Sequence, residues 1–221
     1  MSFKKNKYQV VKNVVSKEIA ELAFNYLKMR EAAEKKLHYY GITTKWFGFF
    51  NDPQVPNSYS IYGDYLMETL LLDTLPIIEK KTQTALVPTY AYTRLYKKGN
   101  VLHRHKDRFS CEISSTMNLG GDDWPIYISP KENIGLPEID GGKKGITAAS
   151  NAKGTKVNLK PGDMLLYRGV ELEHWREPFK GKLCGQVFFH YNDKNGPFKT
   201  KNIFDGRSVL GLPAAYKNIK L

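Results

Sequence analysis

Residues 89–107 read TYAYTRLYKKGNVLHRHKD, and this stretch decides how the rest of the chain is interpreted. Thr89 to Tyr96 alternates and is rich in Thr and Tyr, which is typical of a half-buried β-strand. The residues KGN at 98–100 predict a turn, and Val101 to Lys106 predicts a second strand. A strand rich in aromatic residues is therefore followed, after one turn, by the short segment HRHKD at 103–107, which contains two histidines and an aspartate.

That short run has the composition of a metal site. Side chains two apart on a strand share a face, so His105 and Asp107 project together, with His103 one step further back. His174, after the segment GDMLLYRG at 162–169, is a candidate third ligand from another strand. Two imidazoles and one carboxylate on one face leave three metal positions open, as in non-haem Fe(II) oxygenases.

The chain downstream of these residues reads as short strands separated by turn signals, which favours a β-sandwich or barrel. Residues 130–154 are rich in Gly, Pro, Lys and Asn and predict a long surface loop. The tail from Asn195 onward has little periodicity and is expected to wrap the core. The predicted strands are Cys111 to Leu119, Trp124 to Ser129, Lys156 to Leu159, Met164 to Arg168 and Leu183 to Tyr191.

Before about residue 85 the pattern is helical. Ser16 is a candidate N-cap for a first helix, and Tyr65 to Leu72 predicts a second. Pro76 is expected to end or kink that second helix, or to start a short third one from Thr74. The expected buried stripe of the first helix is Ile19, Leu22, Ala23, Tyr26 and Leu27.

Charge and composition argue against membrane-spanning and disulfide-rich secreted proteins. The 221 residues carry 34 Lys and Arg against 22 Asp and Glu, a net charge of +12. The lysines are scattered, which favours a solvated basic surface over a nucleic-acid-binding tail. No apolar run approaches a membrane span, and neither a secretory signal nor a disulfide framework is indicated. We therefore expect a cytoplasmic protein.

From Thr89 to Asp193 the chain resembles the catalytic core of the Fe(II)/2-oxoglutarate-dependent oxygenases, within them the prolyl 4-hydroxylase-like group. The segments HKDR and EHWREPF also look like those of small oxygenases from marine bacteria and their phages. The matching segments are YKKG at 96–99, HKD at 105–107, KPGDMLLY at 160–167 and HWREP at 174–178.

This resemblance implies an α+β, mainly β fold: a double-stranded β-helix (a jelly-roll or cupin-like barrel) with N-terminal helices packed on one sheet. We expect a single domain with a helical support over 1–85, a catalytic core over 86–193 and a C-terminal wrap over 194–221. His105, Asp107 and His174 would hold Fe(II). The cosubstrate would be 2-oxoglutarate, with ascorbate as a further cofactor, and hydroxylation of a peptidyl (prolyl) or small-molecule substrate would release succinate and CO2.

The sequence departs from the family pattern at one position. A basic residue about ten positions after the distal histidine is expected to bind the far carboxylate of 2-oxoglutarate, and Cys184 stands there. A buried carboxylate needs a cationic partner. Tyr96 and Gln186 are further candidates for contact with the cosubstrate. The candidate cations are Arg94, Lys182 and Arg168.

Two other functions remain open at this stage. Cys184 at the cosubstrate position favours a cupin-like metal-binding barrel with a non-oxidative or sensing role. The positive charge favours an oxygenase acting on nucleic acid. Loops 41–59 and 130–154 are expected to contact substrate, since loops on a rigid barrel commonly carry specificity. We expect His190 to be a core histidine and His103 to face solvent; the sequence does not indicate an oligomeric state.

Overall fold

The computed structural model describes residues 2–42, 48–129, 150–198 and 202–219. The helices are α1 (Phe3–Asn6), α2 (Lys17–Tyr39) and α3 (Tyr65–Thr82), and short 3-10 segments lie at Phe109–Cys111, Ile203–Gly206 and Ala214–Tyr216. The strands are β1 (Tyr8–Val11), β2 (Tyr59–Tyr62), β3 (Leu86–Lys97), β4 (Leu102–His105), β5 (Ile113–Gly121), β6 (Ile126–Ile128), β7 (Thr155–Val157), β8 (Met164–Arg168), β9 (His174–Arg176) and β10 (Leu183–Asp193).

Two antiparallel sheets form the barrel. Among the described residues, the larger sheet has the order β1-β8-β5-β10-β3-β2 and the smaller one the order β4-β9-β6-β7. Strand β10 lies at the centre of the larger sheet, where Gln186 is opposite Arg94 of β3 and Asn118 of β5. This is the predicted double-stranded β-helix, mainly β, with α2 and α3 packed on the larger sheet.

The buried face of α2 differs from the predicted stripe. Ala20, Ala23 and Leu27 are buried against the larger sheet, whereas Ile19 and Leu22 are 43% and 62% exposed. The expectation that Ile19 and Leu22 are buried is therefore wrong. Small alanine side chains allow the helix to approach the sheet closely, so the face that packs is not the one with the largest apolar residues.

Helix α3 does not end at Pro76, contrary to one of the expectations. Proline within a helix removes one backbone hydrogen bond and costs about 3 kcal/mol. Leu71 and Ile78, on either side of it, are fully buried against the larger sheet. Leu72, whose carbonyl loses its donor, is 47% exposed, so water can take the donor's place. Burial of apolar side chains thus offsets the local cost of the proline.

The first 85 residues are not helical throughout, which corrects the prediction for that region. Strand β1 pairs with β8, with Tyr8 opposite Tyr167, and β2 pairs with β3, with Tyr59 opposite Leu95. These two strands form the outer edges of the larger sheet. Each has only four residues, which is too short to show a clear alternating pattern.

The two faces of the larger sheet differ: one packs on the helices in the apolar core, and the other faces the interior of the barrel. One face carries Ala91, Met117 and Val187, which pack with the helices in the main core. The alternate residues on the same strands, such as Arg94 and Gln186, point between the two sheets. The interior of the barrel therefore receives polar and aromatic side chains. In the part of the chain that the structure describes, no helix is long and apolar enough to span a membrane.

The C-terminal segment is anchored by buried ion pairs. Arg207 contacts both carboxylate oxygens of Glu68 in α3, at 2.7 and 3.3 Å. Asp205 accepts hydrogen bonds from both Nη atoms of Arg108, at 2.7 and 2.6 Å, and also pairs with Lys217. The segment therefore connects α3 to the loop after β4. Of the two loops expected to contact substrate, residues 43–47 and 130–149 lie outside the described residues.

Candidate metal centre

The smaller sheet brings the two predicted histidine ligands together. His105 ends β4 and is the cross-strand partner of His174, which begins β9. Asp107 follows in the loop after β4, where its backbone N–H donates to the carbonyl of Gly169 at 2.9 Å. One ligand atom from each of the three side chains lies within 4.8 Å of the others. Asp107 Oδ1 is 3.7 Å from Nε2 of His105 and 3.5 Å from Nε2 of His174.

Backbone carbonyls orient both imidazole rings. Nδ1 of His105 donates to the carbonyl of His103 at 2.8 Å, and Nδ1 of His174 donates to the carbonyl of Leu172 at 3.0 Å. A carbonyl can only accept, so the proton of each neutral ring is on Nδ1. Each Nε2 then presents a lone pair toward Asp107, which is the arrangement that metal-binding histidines commonly adopt.

A second set of contacts holds the carboxylate. Ser114 Oγ donates to Asp107 Oδ2 at 2.6 Å and lies 3.0 Å from Nδ1 of His190. Oδ1 of Asp107 is thereby left directed at the two histidines. Ser114, the second residue of β5, links the loop carrying the carboxylate to the larger sheet.

Charges at the site favour metal binding at neutral pH. Burial alone would raise the pKa of the Asp107 carboxyl, but electrostatic attraction by the neighbouring His174 and His105 side chains holds that pKa well below its ordinary value. Burial, reinforced by His174, lowers the pKa of His105 to about 4. An anionic carboxylate beside imidazole lone pairs is the donor set that a divalent transition metal requires, so these three residues fit Fe(II).

A cavity of about 620 Å³ opens onto the three residues, a volume in the range of small-molecule sites. Its wall includes aromatic side chains of the larger sheet, among them Tyr90, Tyr92 and Phe188. Three arginines also line it, and each has a carboxylate partner. The pairs are Arg94 with Asp52, Arg104 with Glu173 and Arg108 with Asp205.

The structure brings three of the four predicted cosubstrate residues into the barrel. Arg94 is 2% exposed and donates to the hydroxyl of Tyr96 at 3.3 Å as well as to Asp52. Gln186 is buried, and its Nε2 donates to Cys184 Sγ at 3.2 Å. Lys182 is exposed and precedes β10, and it is not brought to the cavity.

The remaining histidines and Arg168 are placed as follows. His103 is exposed, in agreement with the expectation. His190 is buried but lines the cavity, with its ring tilted against that of Tyr90 and the ring centroids 4.5 Å apart, so it is more than a core residue. Arg168 pairs with Glu171 at 3.1 Å and does not line the cavity.

Arg176 is a buried cation next to the candidate cosubstrate residue Gln186, and it was not among the residues predicted from the sequence. It is 1% exposed, and its Nη2 donates to Thr116 Oγ1 at 3.3 Å and to Gln186 Oε1 at 3.2 Å, while Nη1 donates to the carbonyl of Trp124. The sequence does contain a signal that places Arg176 near the proposed ligand His174. Arg176 is two residues after His174, and on a strand this spacing places both side chains on one face.

Gly169 permits the close approach of the carboxylate, and Gly169→Ala is expected to weaken binding of a divalent metal about 10- to 100-fold. A Cβ there would lie 2.6 Å from Ser114 Oγ and closer still to Asp107 Oδ2. Equilibrium dialysis with Mn(II) measures the affinity. The control is Gly99→Ala, which strains a turn at φ +88° but meets nothing within 4 Å. Unchanged affinity in Gly169→Ala would contradict this role.

Burial of His190 as a neutral ring makes stability depend on pH. Its pKa is lowered to about 4 from an ordinary value of 6.5, mainly by burial. Between these values the unfolded chain binds a proton that the folded chain does not, so stability falls as the pH falls. We expect the wild type to lose about 3 kcal/mol relative to His190→Gln between pH 7 and pH 4. Urea unfolding across this range measures the difference, and parallel curves would exclude it.

The fold and the site together define a class of architecture: a double-stranded β-helix with a His-Asp-His cluster at the cavity between its sheets. Solved structures share this fold at low sequence identity. A prolyl-4-hydroxylase from Pseudomonas putida aligns over 85% of this chain and 94% of its own, with 14% identity and a TM-score of 0.55. HygX from Streptomyces hygroscopicus, with nickel, 2-oxoglutarate and hygromycin B bound, aligns over 87% and 85%, with 14% identity and a TM-score of 0.60.

A third similar structure is SnoK, a non-haem α-ketoglutarate-dependent carbocyclase from nogalamycin biosynthesis. It aligns over 96% of this chain and 90% of its own, with 11% identity and a TM-score of 0.56. No protein-family model and no curated protein matches the sequence. At these identities the comparisons establish the fold, and they agree with the resemblance drawn from the sequence.

Proposed function

We propose that this protein is an Fe(II)- and 2-oxoglutarate-dependent oxygenase that hydroxylates a small-molecule or peptidyl substrate, with release of succinate and CO2. The observation that carries the proposal is the cluster of His105, Asp107 and His174, with donor atoms within 4.8 Å of one another at the cavity. The resemblance of residues 89–193 and the shared fold of the solved structures support it.

In this proposal His105, Asp107 and His174 hold the metal, which when bound supplies the capacity to activate dioxygen with 2-oxoglutarate as reductant. Ser114 and the carbonyl of Gly169 keep the carboxylate in place before the metal arrives. The carbonyls behind the two imidazoles keep both Nε2 lone pairs available. Tyr92 and Phe188 give the cavity an apolar wall that limits water near the reacting groups.

The cavity favours a small molecule or a single side chain as substrate. Its volume of about 620 Å³ has to hold 2-oxoglutarate as well as the group that is oxidised. Two of the similar structures contain a small molecule, hygromycin B in HygX and nogalamycin RO in SnoN. A peptidyl substrate, including a prolyl one, would have to insert one residue into this space.

The test is addition of Fe(II) and 2-oxoglutarate to the apoprotein under argon, followed by visible spectroscopy. The wild type is expected to show a charge-transfer band, and His174→Ala is expected to show none. Admission of air should then produce succinate from 2-oxoglutarate in the wild type alone.

The other outcomes separate the alternatives. Iron binding without the band, and without succinate, would overturn the proposal and favour a metal-binding barrel of non-oxidative function. Succinate formation that is stimulated by DNA or RNA, with binding that weakens steeply with salt, would favour a nucleic-acid substrate.

A further inference from the structure

Among the residues that the structure describes, Arg176 is a buried cation without a counter-ion. No carboxylate of the described residues lies within 4 Å of it, whereas Arg94, Arg104 and Arg108 each have one. Arginine stays charged in proteins, and an unpaired buried charge costs several kcal/mol. The three arginines that line the cavity are already neutralised, so the buried Arg176 is the arginine best able to take an additional anion.

The hydrogen-bonding capacity of Arg176 is also incomplete. A guanidinium has five N–H donors, and Nε of Arg176 is buried with no hydrogen-bond partner in the described part of the chain. The groups around the two Nη atoms are neutral: the hydroxyl of Thr116, the amide oxygen of Gln186 and the carbonyl of Trp124. An unused donor on a charged fork among neutral groups is the arrangement that binds a carboxylate strongly.

The position of Arg176 relative to the metal ligands matches a dicarboxylate. His174 and Arg176 are two residues apart on β9, so their side chains leave the strand on the same face about 7 Å apart. A five-carbon dicarboxylate bound to the metal through one end can extend its other end over this distance. The cross-strand partner of Arg176 is Leu102, which lines the cavity, as does Phe188. Arg176 is not among the residues that line the cavity, so contact with it requires the side chains of Leu102 and Phe188 to move when the ligand binds.

We infer that Arg176 binds the distal carboxylate of 2-oxoglutarate and sets the preference for that cosubstrate. This inference rests on the proposed function. It also accounts for Cys184 at the position where the family pattern has a basic residue. Gln186 accepts from Arg176 and donates to Cys184, so the guanidinium is beside that position and approaches it from the opposite sheet.

The experiment compares two cosubstrates on the same protein. Under argon with Fe(II), the charge-transfer band is titrated with 2-oxoglutarate and with 2-oxovalerate, which has the same chain without the distal carboxylate. Arg176→Gln is expected to raise the Kd for 2-oxoglutarate about 100-fold, as loss of a buried charge pair does, and to change the Kd for 2-oxovalerate less than about 3-fold. Arg168→Gln, at a residue that does not line the cavity, is the control and should leave both Kd values close to those of the wild type, whereas Arg94→Gln tests the alternative cation.

Each remaining outcome is decisive. A selective loss in Arg94→Gln with none in Arg176→Gln overturns the inference and leaves the proposed function in place. A wild type that binds Fe(II) but neither oxo acid contradicts the proposed function itself. If Arg176→Gln does not fold, Arg176→Lys serves instead: a Kd raised about tenfold for 2-oxoglutarate alone supports the inference, and equal losses for both oxo acids overturn it.

Discussion

Asp107→Ala is expected to weaken binding of Fe(II) more than about 100-fold and to abolish turnover. The variant removes the one anionic donor and leaves two neutral imidazoles to hold a dication. His105→Ala should act in the same direction, since it removes one of those imidazoles. Metal binding by equilibrium dialysis and succinate formation from 2-oxoglutarate are the two measurements. Far-ultraviolet circular dichroism should show that the fold is largely intact in both variants.

His103→Ala is the matched control for these two variants. His103 is on the same strand two residues before His105, but it is exposed, and its contribution to the site is the backbone carbonyl that accepts from His105. Alanine keeps that carbonyl, so the metal affinity should stay within about 2-fold of wild type. Full activity in either Asp107→Ala or His105→Ala would mean that the ligand assignment is wrong.

Arg207→Met is expected to lower the free energy of unfolding by about 3–5 kcal/mol. The variant leaves the carboxylate of Glu68 buried without its cation, although the N–H of Gly211 still donates to it. It also removes the hydrogen bond from Nη2 of Arg207 to the carbonyl of Thr89 at 3.2 Å. Urea unfolding monitored by tryptophan fluorescence measures the loss.

Lys17→Met provides the comparison for this prediction. Lys17 and Glu21 form an ion pair at 3.5 Å, but their side chains are 70% and 54% exposed. Exposed pairs contribute little, so this variant should change stability by less than about 0.5 kcal/mol. A loss below 1 kcal/mol in Arg207→Met would show that the C-terminal segment is not anchored through this pair.

The strongest sequence signals identified the parts of the fold nearest the metal centre. The pattern of short strands between turn signals predicted Met164 to Arg168, and β8 has these bounds; Leu183 to Tyr191 is extended by two residues in β10. The same-face rule brought His105 and Asp107 together, although Asp107 is beyond the end of β4 and is placed by Gly169 and Ser114. The residue types and their spacing were sufficient to predict the ligands, whereas the position of the Asp107 carboxylate depends on tertiary contacts.

The signals that failed depended on packing across long sequence distances. Strands β1 and β2 have four residues each, and they form because β8 and β3 provide backbone hydrogen-bond partners for them. The family position on β10 points to Lys182 as a cosubstrate cation, but Lys182 is exposed. The sequence does not single out Arg176, because its lack of a carboxylate partner among the described residues is a property of the folded barrel.

The central place of β10 in the larger sheet has a consequence for synthesis of the protein. Strand β10 separates β3 from β5, so until residues 183–193 leave the ribosome the sheet exists at most as two halves, β2-β3 and β1-β8-β5. Each half then has an unpaired edge, which favours association with other chains. The nascent chain therefore passes through an aggregation-prone stage, and its yield in cells should depend on chaperones and on the rate of translation of residues 122–193, which separate β5 from the end of β10.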